Sequence, residues 1–245
     1  VSSEAVIWHD VECGGYAEDL ALWRELAAAA GGGGPVLDVG AGTGRVTLDL
    51  AAAGVEVVAL DADAQLLAAL AARAARSGLA PIETVCADAR GFALDERRFA
   101  LIIVPMQTLQ LLGGRAGRKT FLRAARAHLA PGGLVAAALA DALESFDADS
   151  DGLPEPDLAE HDGVRYRSLP LAVVDEGEAA AIHRLREVEG TDGARRESHD
   201  IIRLDRVSAA DVEREARALG FTPEPARRIP ATDVYVGSTV VMLRG

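Results

Sequence analysis

The segment Asp38-Val39-Gly40-Ala41-Gly42-Thr43-Gly44 sets three glycines at alternate positions behind a carboxylate. Residues without side chains let a ligand approach the main chain, and a turn of this kind that opens a helix can offer N–H donors to it. Two further acids stand at comparable places, Asp61 closing VVALD and Asp88 closing VCAD. A carboxylate about 20 residues after such glycines can accept both hydroxyls of a ribose, which fits NAD as well as any other nucleoside. A triphosphate-cradling loop requires Gly-Lys-Ser/Thr, whereas Gly44 is followed by Arg45 and Val46. A dinucleotide turn wants a small residue where Arg45 stands. A tight turn with no ligand needs one glycine, not three.

These residues must be held by strands and helices in alternation, and the hydrophobic pattern supplies them. The runs VLDV, VEVVAL, PIETVC, FALIIV and LVAAAL are short and apolar on both faces, with helical spacing between them. This predicts a doubly wound α/β sheet, mostly parallel, completed to seven strands by two runs near 225–229 and 236–243. Before it, Leu22, Trp23 and Leu26 lie near helical spacing, so 1–34 is expected to form a helical lid and 35–140 the ligand-binding core. After strand five, YRSLPLAVV, AAIHRLREVE and ESHDIIRLDRVS alternate like strands between turn signals. They predict a small antiparallel insert within 141–207, preceded by an acidic loop. Ser208 with Asp211 reads as a capping box, Gly220 as the helix stop, and 208–245 as the return to the main sheet.

At 245 residues the chain suits one domain plus an insertion. Its formal net charge of −13 and single lysine, Lys119, argue against nucleic acid, whose phosphates require a basic footprint. No uncharged apolar run is long enough to span a membrane, and the acidic start VSSEAVIWHDVE is unlike a signal peptide, so a cytoplasmic location is expected. Cys13 and Cys86 lack metal-type spacing. The stretch 141–163 holds nine acids and neither Lys nor Arg. Within it Asp147–Gly152 resembles half a calcium loop, but position twelve is Leu158, and Pro154 and Pro156 stand where a helix should follow. No metal site is expected.

Together, the glycine segment and the motifs downstream of it resemble the class I S-adenosylmethionine-dependent methyltransferases. The resemblance runs through five features in order: the glycines, Asp61, Asp88 in CADAR, the strand ending IIVPMQTLQLL, and HLAPGGLVAAAL. It implies that Asp38 helps hold the methionine ammonium, with Gly40, Ala41 and Gly42 against the cofactor. It implies also that Asp61, with Ala62, takes the ribose; that Asp88, with Ala89 and Arg90, takes the adenine; and that Val104, Pro105 and Met106 line the sulfonium end. S-adenosylhomocysteine would be the product. The opening WHDVECGGYAEDL and the IIVPMQTLQLL segment look most like small-molecule enzymes that include aminosugar N-methyltransferases. Trp8 stands where those frequently carry tyrosine, with Tyr16 as a substitute; both join the expected cofactor set.

Methyl transfer from a sulfonium is an in-line displacement that alignment and exclusion of water can accelerate without a base when the acceptor is a neutral amine. The acidic charge and the lack of an evident base favour an amine over a hydroxyl, on a small molecule or short peptide. Gln107, Tyr16 and His9 are the candidates for the acceptor side; Gln107 could orient an acceptor but not deprotonate one. His128 reads as structural at a helix C-terminus. An NAD-dependent oxidoreductase and a non-catalytic cofactor-binding protein are the alternatives, and edge strands of the insert could pair two chains as a homodimer.

Overall fold

The computed structural model describes residues 3–31, 34–140, 145–151 and 154–245. It comprises two compact units: Val1–Tyr16 with Ala142–Arg206, and Ala17–Asp141 with Val207–Gly245. The segment 1–34 is thus shared. Its first helix, α1 (Glu4–Cys13), belongs to the antiparallel unit and its second, α2 (Leu20–Ala29), to the parallel one.

In the parallel unit α2 is followed by β1 (Val36–Val39), α3 (Arg45–Ala52), β2 (Val57–Asp61), α4 (Ala64–Arg76), β3 (Glu83–Cys86), β4 (Phe99–Val104), α5 (Gly114–His128) and β5 (Leu129–Ala140). All four residues of β1 are buried, as are five of the six of β4, and Leu37, Val39, Ile102, Val104, Val135 and Ala137 share one core. Each fully buried aliphatic side chain contributes about 1.5 to 3 kcal/mol. Near the start of β5 the ladder to β4 slips: Leu129 pairs with Phe99 but Leu134 with Leu101. The slip absorbs the Pro131-Gly132-Gly133 turn. A Cβ on Gly133 would stand 2.9 Å from the carbonyl oxygen of Phe99.

The antiparallel unit holds β6 (Phe146–Asp147), the single turn α6 (Ala148–Asp151), β7 (Asp157–His161), β8 (Val164–Asp175), β9 (Ala179–Glu189) and β10 (Arg195–Asp205). Its sheet order is β10-β9-β8-β6, with β7 also pairing with β8. The acidic stretch is therefore not a plain loop. Asp141, Ala142, Leu143, Glu144, Gly152 and Leu153 lie outside the described residues, while Leu158 to His161 ladder onto β8. Where the sequence resembles half a calcium loop, the Asp149 N–H donates to the Asp147 carboxylate at 2.9 Å. Helix α1 closes one face of this sheet, packing Ile7, Trp8 and Val11 on Ala159, Tyr166 and Val188.

The chain re-enters the parallel unit through α7 (Ala209–Arg217), β11 (Thr222–Ile229) and β12 (Ser238–Arg244). The expected capping box is present: Ser208 Oγ accepts from the Asp211 N–H at 3.2 Å, and Asp211 accepts from the Ser208 N–H at 3.3 Å. The Ser208 hydroxyl, donating to the Asp211 carboxylate at 2.6 Å, together with Arg214 and the Ser208 N–H, holds the Asp211 carboxyl down to about 2. Gly220 adopts a φ of 85° beyond the helix. The completed sheet has seven strands in the order β11-β12-β5-β4-β1-β2-β3. β1 to β5 are parallel, β12 is antiparallel to β5 and β11 to β12, which is the expected mostly parallel, doubly wound, Rossmann-like methyltransferase fold.

Candidate cofactor and acceptor site

The site is built at the carboxyl ends of β1, β2, β3 and β4, where open parallel sheets place ligands. The glycine turn joins β1 to α3 with φ of 74°, 56° and 96° at Gly40, Gly42 and Gly44. Two of these glycines make room for protein side chains. A Cβ on Gly40 would lie 2.6 Å from the Thr108 side chain, and one on Gly44 would lie 2.7 Å from Leu70 Cγ. The turn's amides are also engaged. Gly40 and Ala41 donate to the Leu60 carbonyl at 2.8 and 3.0 Å, Gly44 to that of Ala41 at 2.9 Å, and Gly42 to the Asp61 carboxylate at 2.8 Å. At positions 40 and 44 the missing side chain thus also makes room for Thr108 and Leu70. A loop whose amides bond inward is poorly equipped for a diphosphate, which needs several free donors. What it arranges instead is acceptors.

Asp38 is 1% exposed. Its Oδ2 accepts from Thr47 Oγ1 at 2.6 Å, while Oδ1 is buried without a hydrogen-bond partner among the described residues. Burial pushes this carboxyl up to about 6, against the lowering effects of the Thr47 hydrogen bond and Arg45; Asp19 and Asp61 raise it further. A buried acceptor left open suits a cationic group, so the residues present fit the amino-acid end of S-adenosylmethionine. Asp61 takes the Gly42 N–H on one oxygen and the Asp63 N–H on the other, at 2.8 and 2.9 Å. Each oxygen keeps a second lone pair. Capping of α4 falls to Asp63, whose carboxylate receives the Gln65 and Leu66 amides at 2.7 and 3.4 Å, so Asp61 has no capping duty.

The end of β3 is tied in by the Ala87 N–H, which donates to the Asp61 carbonyl at 2.9 Å, and Cys86 Sγ reaches the Ala62 carbonyl at 3.6 Å. Asp88 is half exposed and gripped by Arg90, whose guanidinium contacts both carboxylate oxygens at 2.5 to 3.0 Å. With the Arg90 amide, this holds its carboxyl down to about 2. Ala89 packs on the main core. At the end of β4, Val104 and Pro105 are buried and Met106 has a φ of 53°, uncommon for a residue with a side chain and typical of functional turns. Gln107 is half-buried beside it, and the next residue is the Thr108 that fills the space at Gly40.

The remaining candidates belong to the antiparallel unit. The Trp8 ring meets Tyr166 edge-on at 5.4 Å, lies under the Arg186 guanidinium at 5.2 Å and donates its Nε1–H to Glu4 at 3.2 Å. His9 is half-buried on α1, and Tyr16, buried, ends that stretch of the unit. A cavity of about 580 Å³ also lies within this unit, lined by Leu158, Tyr166, Val188 and charged neighbours, none of them from the β1–β4 set. Sequence reasoning missed three supports. Thr47 is one; another is Asp19, fully buried, which binds Arg45 at 2.5 and 2.8 Å and receives the Trp23 Nε1–H at 2.8 Å. The third is Thr108. Position in the first turn of α3, facing the strand end, was the available signal for Thr47. His128 is structural, as its place in the sequence implies: Nε2 accepts from the Leu94 amide at 3.2 Å and Nδ1 faces the Arg97 carbonyl at 3.0 Å.

Comparison with known proteins points to the same fold. Residues 36–133 match a family described as a methyltransferase domain. A comparison with curated proteins gives no match. Among solved structures, the sugar N-methyltransferase KedS8 from Streptoalloteichus sp. ATCC 53650 is 19% identical with a TM-score of 0.73, covering 100% of this chain and 94% of its own. CalS10, an amino pentose methyltransferase from Micromonospora echinaspora solved with S-adenosylmethionine bound, is 21% identical with a TM-score of 0.71 over 98% of this chain and 97% of its own. The glycopeptide N-methyltransferase MtfA, complexed with S-adenosyl-L-methionine, is 27% identical with a TM-score of 0.57 over 94% and 95%. Among the described residues no helix is long and apolar enough to cross a membrane. Residues 36–133 match a methyltransferase domain, and nearly the whole chain shares the fold of solved methyltransferases that include S-adenosylmethionine-bound ones.

Proposed function

We propose that this enzyme methylates a nitrogen on a small molecule or short peptide. The observation that carries the reading is the length of the likeness. A sugar N-methyltransferase, an amino pentose methyltransferase and a glycopeptide N-methyltransferase match it over 94 to 100% of the chain, the antiparallel unit included, not over the cofactor-binding half alone. The net charge of −13 supports a cationic acceptor, through attraction that physiological salt screens beyond about 8 Å.

The cofactor supplies a methyl group on a sulfonium. In this reading Asp38 holds its ammonium, Asp61 and Ala62 its ribose, and Asp88, Ala89 and Arg90 its adenine. Gly40, Ala41 and Gly42 form the floor, while Val104, Pro105 and Met106 flank the reacting end and keep water out. Gln107 orients the acceptor nitrogen. By the resemblance, Trp8 and Tyr16 join the cofactor contacts, and Tyr16 and His9 remain the further acceptor-side candidates. An amine that arrives neutral loses its proton to solvent after transfer, so no residue need act as base. Incubation with isotopically labelled S-adenosylmethionine and matched panels of amines and alcohols tests this. Label in amines alone is expected; incorporation confined to hydroxyls or carbon acids refutes the nitrogen preference.

A further inference from the structure

We propose that Thr47 is a positioning residue for the methyl donor: its hydroxyl pins one oxygen of Asp38 so that the other stays fixed, ionised and open to the cofactor's ammonium group. The inference rests on the reading of Asp38 given above. Thr47 sits in the first turn of α3 with no exposed surface, and its β-branched side chain has few rotamers to choose from. Its Oγ1 lies 2.6 Å from Asp38 Oδ2, the length of a hydroxyl donating to a charged acceptor.

A carboxylate this deeply buried tends toward its neutral form, and a neutral Asp38 could not pair with an ammonium. The charged groups around it are Arg45 on α3, Asp19 ahead of α2 and Asp61 at the end of β2. Two of the three are acids that favour protonation. The third, Arg45, has its guanidinium committed to Asp19 by two hydrogen bonds. Among the described residues this leaves Thr47 as the hydrogen-bond donor that favours the charged form of Asp38. The pinned oxygen also fixes the carboxylate's rotation, so Oδ1 needs no reorientation when a cation arrives.

The test is calorimetric binding of S-adenosylhomocysteine to the full chain, from pH 5 to 8.5, for the wild type, Thr47→Val and Thr47→Ser. Wild-type affinity should rise with pH and level off once Asp38 is ionised. Thr47→Val keeps the shape and removes the donor. Its midpoint should move up by about one pH unit, the equivalent of a charged hydrogen bond, with affinity about fivefold lower near pH 6, about tenfold lower at pH 5 and close to wild type at pH 8.5. Thr47→Ser should restore the profile. Thr47→Ala, with melting curves for every variant, stands in if valine does not fold. A ligand-free NMR titration of the Asp38 carboxyl carbon should move upward in parallel. Superimposable profiles, an equal loss at every pH, or no rescue by serine would overturn the proposal. Failure of the wild type to bind S-adenosylhomocysteine would instead overturn the reading of the site, and the proposal with it.

Discussion

Replacing Asp38 with asparagine should make the protein relatively more stable as the pH rises. The Asp38 carboxyl titrates near 6 in the fold, against an ordinary 3.8, because burial disfavours its charge. A carboxyl whose folded value is raised binds its proton more tightly folded than unfolded, so it removes stability as pH climbs through that interval. Integrated, the cost is about 1.6 kcal/mol at pH 5 and about 3 kcal/mol at pH 8. Asparagine does not titrate. It can still accept from Thr47, but it places a buried N–H where Oδ1 lay open, a penalty of about 1 to 3 kcal/mol that is the same at both pH values. The difference in stability, variant minus wild type, should therefore grow by about 1.4 kcal/mol between pH 5 and pH 8, roughly 3 to 6 °C in melting temperature for a chain of this size. Denaturant or thermal unfolding of both proteins at the two pH values measures it. A difference that is flat, or that shrinks with pH, would mean that Asp38 is not a strained buried carboxylate. The same substitution should abolish tight binding of S-adenosylhomocysteine, so one residue would carry stability and binding in opposite directions.

Gly44→Ala should cost about 1 to 3 kcal/mol, since a methyl there meets Leu70 at 2.7 Å and φ is 96°; denaturant melts measure it. Gly40→Ala should be comparably harmful, and Thr108→Ala in the same chain should recover part of the loss by vacating the space. Asp61→Ala should weaken S-adenosylhomocysteine by about 1 to 3 kcal/mol in calorimetry, whereas Asp63→Ala should mainly destabilise α4. Burial works to raise the Glu12 carboxyl, but hydrogen bonds from Arg186 and Ser168 outweigh it and hold the value below the ordinary one. That support is therefore present at neutral pH and fades as acid protonates Glu12. Glu12→Gln should cost about 1 to 3 kcal/mol, seen as faster amide exchange in α1. Light scattering should give twice the chain's mass if the antiparallel unit pairs two copies; a monomer at high concentration would dispose of that dimer.

Strands β1, β2, β4 and β5 were legible because burial on both faces leaves nearly unbroken apolar runs such as FALIIV, whereas β3, at the sheet edge, is largely exposed rather than buried as expected; α7 was legible because its cap and stop are local. Strand β7 was hidden inside the acidic run, since Leu158 and Glu160 are exposed and no apolar face announces them. The allegiance of α1 was hidden too: an apolar stripe says that a helix packs, not on what. That Asp38, Asp61 and Asp88 stand at or just beyond strand ends, with a glycine turn after the first, could be read from the sequence. What fills the space beside each glycine could not, because Thr108 and Leu70 lie far along the chain from Gly40 and Gly44. Thr47 escaped for a related reason. A threonine in an amphipathic helix looks ordinary until the strand end it faces is known.

The antiparallel unit is sewn from two stretches distant in sequence, 1–16 and 142–206. That matters for anyone who would build chimaeras of this chain. Moving 142–206 alone would leave Ala159, Tyr166 and Val188 without the helix that covers them, and Arg186 without Glu12. A workable exchange has crossovers at three points, after residues 16, 141 and 206, and takes the amino-terminal helix along with the strands it shields.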